Sequence, residues 1–430
     1  MRLPMAGAQW QTDCQAAYLR LAMTMNKLTM NKKYKRRYKN VKFKKEYNIL
    51  DLYRAYWDCR RSKRNTLAAI EFEYNLESNM LHLYEDLKSG NYKIGESICF
   101  VVLKPKPREV WAASFRDRIV HHFVYNIIKD RFLNSFIKDT FSCIPERGTL
   151  MAAKRALKYA RSITADFKEN AYYLKADIKN FFVTIDKNIL FELVIKRVPE
   201  KWLQKIIKQI IFNDPKEQAR IQSRQWKFDL LPSYKSLWNT SSLNGLPIGN
   251  LTSQFFSNIY LDVMDKFIKH KLKCRYYLRY VDDFLIYDKS PENLNVFHKE
   301  IGDFLRKELK LELHQDKKTI NLIKNGVDFV GYKIKPGRMY LRQRTLRKMF
   351  NITERFQRNI FDVKEKTLER LFCVFNSYLG QLGCVKGFRL RKKLCEKISY
   401  PYFCHNEDYS KVRKMYLNET LIEYAKLQNP

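Results

Sequence analysis

Residues Tyr277 to Asp288 read YLRYVDDFLIYD, two adjacent carboxylates between two runs of apolar, β-favouring side chains. Such runs read as strands, and an Asp-Asp pair between them marks a tight turn. The stretch therefore calls for a β-hairpin with Asp282 and Asp283 at its tip, and for a sheet in the second half of the chain. An acidic turn of this kind is either simply solvated or a place for a metal ion. The hairpin alone does not separate the two.

A second acidic strand end lies in YYLKADIKNFFVTID, residues Tyr172 to Asp186, where a β-like run delivers Asp177 and is followed by Phe181 and Phe182. Taken alone, an Asp there is commonly a turn or a helix cap. Together, Asp177, Asp282 and Asp283 supply three hard oxygen ligands from two strands. That inventory suits a pair of Mg²⁺ ions about 3.5–4 Å apart, one acidifying an attacking hydroxyl and one stabilising a leaving pyrophosphate, with Mn²⁺ as a possible substitute. Charge says what such ions would act on. Lys and Arg total 82 against 45 Asp and Glu, leaving +37, an excess that favours polyanions through counterion release. Phosphoryl transfer on nucleic acid follows, with nuclease and polymerase both open on this chemistry.

The rest of the chain supplies context. The block KKYKRRYKNVKFKK from Lys32 to Lys45 interleaves cations with Tyr and Phe. It is either a solvated tail or a nucleic-acid arm in which Lys32, Lys33, Lys35, Arg36, Arg37 and Lys39 neutralise phosphates. From Tyr47 to Leu87 the apolar spacing is helical, ending at a Gly that can cap it. A short strand at Ile98–Val102 leads into a Pro-containing turn where Lys104, Lys106 and Arg108 crowd together, placed to hold a triphosphate or simply to face water, and a helix starts near Phe115. Residues 201–243 are charged and poorly patterned, a helix, a connector and a surface loop. Gly245, Pro247 and Gly249 mark a turn, and Asn250, Thr252 and Ser253 can start a helix that runs through Phe267. After the acidic hairpin come an amphipathic helix at Asn293–Leu309, a strand-turn-strand around Asp316 to Lys318, and a hairpin turning at Pro336-Gly337. From about Arg344 to the end the pattern is helical and strongly basic.

Nine cysteines without a C-x-x-C pair argue against a disulfide framework and a structural zinc site. The adjacent His121 and His122 read as helix-packing residues rather than ligands. No run of 18 apolar residues is present to span a bilayer, and the opening MRLPMAGAQW lacks a secretory core, which predicts a cytoplasmic protein with no membrane partner.

The ordered series KPKPREV, LKADIKNFF, GLPIGNLTSQ, YVDD, QDKK and FVGY, from roughly Val101 to Tyr340, resembles the motif succession of reverse transcriptases. The resemblance implies an α+β right-hand polymerase fold: fingers, a palm with an antiparallel sheet packed on helices, and a helical thumb. It divides the chain into a basic extension at 1–65, fingers at 66–170, a palm at 171–340 with a finger-like insertion about 201–243, and a basic helical thumb and tail at 341–430. It implies that Asp177, Asp282 and Asp283 bind the metals with help from the Ile178 backbone carbonyl. It makes Phe182 the steric gate that leaves no room for a 2′-hydroxyl, core packing being the alternative. Arg108 with Lys104 or Lys106 matches the triphosphate grip, and Ile248, Gly249 and Gln254 line the nucleotide site. Lys318, with Lys317 one residue away, matches the general acid for pyrophosphate. Phe329, Val330, Gly331 and Tyr332 match the primer grip.

Intron- and retron-type enzymes mostly carry a Gln-Gly start and a Ser-Pro end where this chain has IGNLTSQ, from Ile248 to Gln254. That form is similar to the reverse transcriptases of diversity-generating retroelements, whose template-repeat RNA is copied into cDNA with errors at adenines. This resemblance implies a bacterial or phage-encoded enzyme, with a structured RNA template, cDNA product, deoxynucleotides and a small pentameric accessory protein as partners. An antiphage reverse transcriptase copying a non-coding RNA is the alternative. A Cys/His endonuclease set and a spaced carboxylate quartet are not evident, which disfavours an intron maturase with its own endonuclease.

Overall fold

The computed structural model describes residues 46–61, 63–358, 365–398 and 403–414, so the basic block at Lys32–Lys45 lies outside the described residues. The chain parts into two units, Met1–Ile49 and Leu50–Pro430, and the second carries the architecture below.

Three helices, α1 (Ile49–Arg60), α2 (Leu67–Tyr74) and α3 (Leu76–Ser89), come first. The last stops at Gly90, whose φ of 82° lies in the left-handed region open to glycine. Strands β1 (Ser97–Val102) and β2 (Arg108–Ala113) form an antiparallel hairpin with Val102 opposite Arg108, so Lys104 and Lys106 sit at its tip. Helix α4 (Phe115–Leu133) starts where the Ser114 hydroxyl accepts from the Asp117 N–H, an N-cap. His121 lies buried within this helix, its Nδ1 at 2.6 Å from Thr252 Oγ1, as a packing residue.

Next come β3 (Thr140–Phe141), α5 (Thr149–Ile163), β4 (Tyr172–Asp177), α6 (Phe181–Thr184), α7 (Lys187–Ile195) and α8 (Lys201–Phe212). The region read as connector and loop contains a strand, β5 (Ala219–Ile221), and a short helix, α9 (Gln225–Asp229). Strand β5 pairs in parallel with β1 and completes a three-stranded sheet in the order β2-β1-β5. Helix α10 (Leu251–Lys266) follows Asn250, as predicted, although the Asn250 side chain caps nothing and instead accepts from the Ala113 N–H of β2 at 3.1 Å.

The hairpin β6 (Tyr277–Tyr280) and β7 (Asp283–Asp288) forms as expected, followed by α11 (Pro291–Leu309) and β8 (Thr319–Leu322). The central sheet runs β3-β6-β7-β4-β8, antiparallel except for β3 against β6. Both faces are buried. Tyr173, Leu278, Leu285 and Tyr287 join the core that contains Ala152, Ala153, Ala156 and Ala160 of α5, while the alternating Leu174, Tyr277, Phe284 and Ile286 are fully buried as well. The four alanines repeat at helical spacing, and their small side chains let α5 approach the strands closely.

Strands β9 (Val327–Phe329), β10 (Tyr332–Lys335) and β11 (Arg338–Leu341) make a separate antiparallel sheet, with the predicted turn at Pro336-Gly337. Its buried Phe329, Ile334 and Leu341 share a core with Phe356, Phe375 and Leu394 of helices α12 (Gln343–Arg358), α13 (Glu365–Gly383) and α14 (Phe388–Ile398). The expectation of helix from Arg344 to the end is corrected by a strand pair, β12 (Phe403–His405) with β13 (Val412–Lys414). Phe403 is fully buried, its ring 5.7 Å from Phe356 and 5.8 Å from Phe375, so packing rather than an audible alternation makes these three-residue strands.

Candidate active site

The antiparallel register of β4 and β7 sets Asp177 opposite Asp283. Tyr280 pairs with Asp283 across the hairpin, so Val281 and Asp282 are the two turn residues, and Asp283 is the first residue of its strand rather than part of the turn. Val281 has a φ of +57°, a conformation rare for a β-branched side chain and costly to hold.

What holds it is Arg279. The guanidinium is fully buried and forks onto Asp265 of α10, Nε to Oδ1 and Nη2 to Oδ2, both at 2.7 Å. Its remaining Nη1 donates to the Val281 carbonyl at 2.8 Å and to Asn258 Oδ1 at 3.2 Å. Asp265 also accepts from the Tyr277 hydroxyl at 2.5 Å and the Thr140 hydroxyl at 2.6 Å, and Asn258 donates to the Ser142 carbonyl at 3.0 Å. A buried pair with every oxygen engaged fixes one geometry more than it adds stability. Neither Arg279 nor Asp265 is among the residues the sequence singled out.

Asp177 is buried, while Asp282 and Asp283 are partly exposed at the mouth of the site. Burial, followed by the charges of Asp177 and Asp283, pushes the Asp282 carboxyl up to about 7. Burial raises Asp283 too, against the opposing charge of Lys175. Carboxyls crowded until one is driven to keep its proton are a site with a deficit of positive charge. Among the described residues, no three His, Cys, Asp or Glu side chains stand ready-made at the spacing of a metal cage. The donor set fits an ion such as magnesium, which keeps its waters and takes one or two carboxylates, drawing other ligands from substrate phosphates. Asp177, Asp282 and Asp283 would hold it. The bridge of Ile178 with Leu313 is made by the bonds His314 N–H to Asp177 O and Lys179 N–H to Glu312 O. The Ile178 carbonyl therefore faces the opposite edge, the side of β7 and Asp283.

The geometry sets the two lysines matched to the general acid apart. The Lys317 ammonium is the one that pairs with Asp177 Oδ2, whereas Lys318 donates to Asn295 Oδ1 of α11 at 2.7 Å. The reason is local. In the stretch read as strand-turn-strand, a bridge at Leu313 and strand β8 flank a 3₁₀ turn over Gln315–Lys317, which sends these two neighbours in different directions.

The IGNLTSQ segment is clamped to the β1–β2 hairpin. The Trp111 N–H donates to the Ile248 carbonyl at 2.7 Å, and Gly249 adopts a φ of +135° where a Cβ would lie 2.5 Å from the Trp111 carbonyl. Lys104, Lys106 and Arg108 are exposed on that hairpin. Phe182 is half-buried in α6, above the fully buried Phe181 at 5.4 Å, and its carbonyl accepts from the Leu246 N–H at 2.8 Å. Phe182 and Ile248 thus belong to one bonded stretch. Gln254 is exposed, and its Oε1 accepts from the Cys143 thiol at 3.3 Å. Of the four residues matched to a primer grip in the sequence, Phe329 and Tyr332 turn into the core, and the turn Val330-Gly331, with φ values of 41° and 95°, is the partly exposed portion.

The family described as "Reverse transcriptase (RNA-dependent DNA polymerase)" matches residues 104–334, more than half of the chain. The chain is 21% identical over 276 residues to the "Putative COX1/OXI3 intron 2 protein" of Saccharomyces cerevisiae, covering 51% of this chain and 29% of that protein. It is 22% identical over 325 residues to the "Group II intron-encoded protein LtrA" of Lactococcus lactis subsp. cremoris, covering 60% of this chain and 50% of that one. The chain thus spans half or less of the length of these two curated relatives. Among solved structures it is similar to a telomerase from Candida albicans in complex with a fragment of telomeric RNA, at 12% identity and a TM-score of 0.44, covering 77% of this chain and 60% of that chain.

Proposed function

The chain belongs to the reverse transcriptase family, and from that premise we propose that it extends a DNA 3′ end on an RNA template, as an RNA-directed DNA polymerase. The observation that carries this reading is the register of Asp177 against Asp283 with Asp282 at the adjoining turn, three carboxyls crowded until Asp282 is pushed toward keeping its proton. Divalent metal held there would supply acidification of the primer hydroxyl and neutralisation of the phosphates. The chain's own groups do the rest. Lys104, Lys106 and Arg108 grip the triphosphate, Phe182 lies under the sugar, and the Val330-Gly331 turn supports the primer end. As the primer oxygen bonds to the α-phosphorus and the bond to the bridging oxygen breaks, the Lys317 ammonium is the cation beside Asp177 that can give a proton to the departing pyrophosphate.

The finer reading is that of a diversity-generating retroelement. Its support is IGNLTSQ: an apolar Ile248 stands where related enzymes use a polar Gln beside the nascent base pair, and loss of that polar contact lowers fidelity. A structured template-repeat RNA and a small pentameric accessory protein are the partners this reading brings.

Primer extension on an RNA template tests the first reading. Asp282→Asn/Asp283→Asn abolishes incorporation and keeps RNA binding, and residual synthesis overturns the metal assignment. Sequencing the cDNA made with co-expressed flanking RNA tests the second: errors confined to template adenines support it, and a uniform spectrum removes it.

A further inference from the structure

The inserted region 219–243 is fastened to the β1–β2 hairpin at two places. At one, β5 lines the free edge of β1, the Gln222 N–H donates to the Cys99 carbonyl at 2.9 Å, and the Ser223 hydroxyl accepts from the Val101 N–H at 3.0 Å. At the other, Glu109 of β2, itself buried, accepts from the Ser236 hydroxyl at 2.5 Å and the Leu237 N–H at 2.9 Å. Between these fastenings Trp226, Leu230 and Tyr234 stay exposed.

Trp226 is 50% exposed and Tyr234 60% exposed, although burying either ring would be favourable. Each carries a neighbouring ammonium over its face: Lys227 lies 5.7 Å from the Trp226 ring and Lys235 lies 5.4 Å from the Tyr234 ring. Arg224, also exposed, stands just past the first fastening. Phe228 is different, since it packs against the cluster of Cys99, Trp111, Val183 and Leu237 and anchors the segment.

An exposed ring beside an ammonium suits one nucleotide unit, with a base on the ring and its phosphate on the ammonium. Duplex bases have no free face to offer, so the ligand must be unpaired. Both ring-and-cation pairs branch from the sheet whose tip carries Lys104, Lys106 and Arg108. We propose that residues 224–235 form a stacking platform for the single-stranded template, gripping unpaired bases that have yet to reach the carboxylates. The proposal rests on the polymerase reading for the word template, and on the residues named here for the binding itself. The strong positive charge of the chain favours a nucleic acid over a protein as the occupant.

The test uses the full chain without nucleotide. Fluorescence anisotropy compares an RNA–DNA hybrid that has a 5′ RNA overhang of about ten unpaired nucleotides with the same hybrid made blunt. Trp226→Ala and Tyr234→Ala each weaken overhang binding by about tenfold, the loss of one stacked base, and leave blunt-hybrid affinity as it was. The Arg224→Ser/Lys227→Ser/Lys235→Ser variant flattens the dependence of log K on log salt by roughly 2 for the overhang, as three lost phosphate contacts require. Parent-like overhang binding by the ring variants, as expected were these rings a protein-docking surface, overturns the proposal. So does an equal loss on both substrates. A chain that grips the overhang and adds no deoxynucleotide to a primed template fails the polymerase reading and leaves this one standing.

Discussion

Arg279 donates to the carbonyl of Val281 at 2.8 Å, and through that bond a fully buried cation sets the path of the turn that presents Asp282. Arg279→Met leaves Asp265 buried without its counter-charge and lowers stability by about 3–5 kcal/mol. Adding Asp265→Asn returns much of the melting temperature, because the stranded charge is gone. It does not return kcat, which stays about 100-fold down, since the Val281 carbonyl still lacks its donor. Melting curves and single-turnover incorporation on the two variants separate these effects. Recovery of both together reduces Arg279 to a packing role.

Lys317 and Lys318 are expected to part company in kinetics. Lys317→Ala removes the ammonium beside Asp177 and slows incorporation by roughly 100-fold or more, the range for loss of a positioned acid. Lys318→Ala removes only a bond to Asn295 and changes the rate by no more than about twofold. The reverse ranking restores the alignment first drawn from the sequence.

If Phe182 is the steric gate, Phe182→Ala opens room for a 2′-hydroxyl without touching the backbone bond from Leu246 that holds its helix. Discrimination between a deoxynucleotide and its ribonucleotide, read as the ratio of kcat/KM values, falls by about 10- to 200-fold. An unchanged ratio assigns the ring to the core.

Burial pushes His121 from its ordinary value down to about 4. Unfolded chains take up a proton as pH falls through 6.5, while the folded imidazole declines it until about 4, so stability drops as pH falls across that window, by about 3 kcal/mol at most. His122 lies equally low for the same reason, and acts in the same direction. Denaturant midpoints of His121→Asn, measured from pH 7 to pH 4, therefore fall less steeply with acid than the parent's, with His122 still pulling the same way and the raised carboxyls of Asp282 and Asp283 pulling the other way. An undiminished slope removes His121 from the account.

Much of the site was legible because turn chemistry is local. The Asp-Asp hairpin, the Lys-Pro tip, the Gly90 cap and the Pro336-Gly337 turn each declare themselves within a few residues. Asp265 and Arg279 do not, although both are charges inside apolar runs, because their pairing joins a helix to a strand and nothing in a single chain says which charge finds which. The choice between Lys317 and Lys318 stays open in the sequence because both fall at a turn, and only the 3₁₀ geometry over Gln315–Lys317 shows that the two side chains part. Strand β5 was invisible for another reason: Ala219, Arg220 and Ile221 have no strand pattern, and it is the open edge of β1 that makes them one.

A hydrogen-bonded sheet contains no hinge. With β5 laced to β1 and Glu109 fastening Ser236 and Leu237 to β2, the tip bearing Arg108 and the segment bearing Trp226 and Tyr234 form a single stiff arm. On the proposed reading, a rotation that lowers Arg108 onto a triphosphate would swing the bases held on Trp226 and Tyr234 through the same angle, so that capturing a nucleotide and advancing the copied strand would be two ends of one lever.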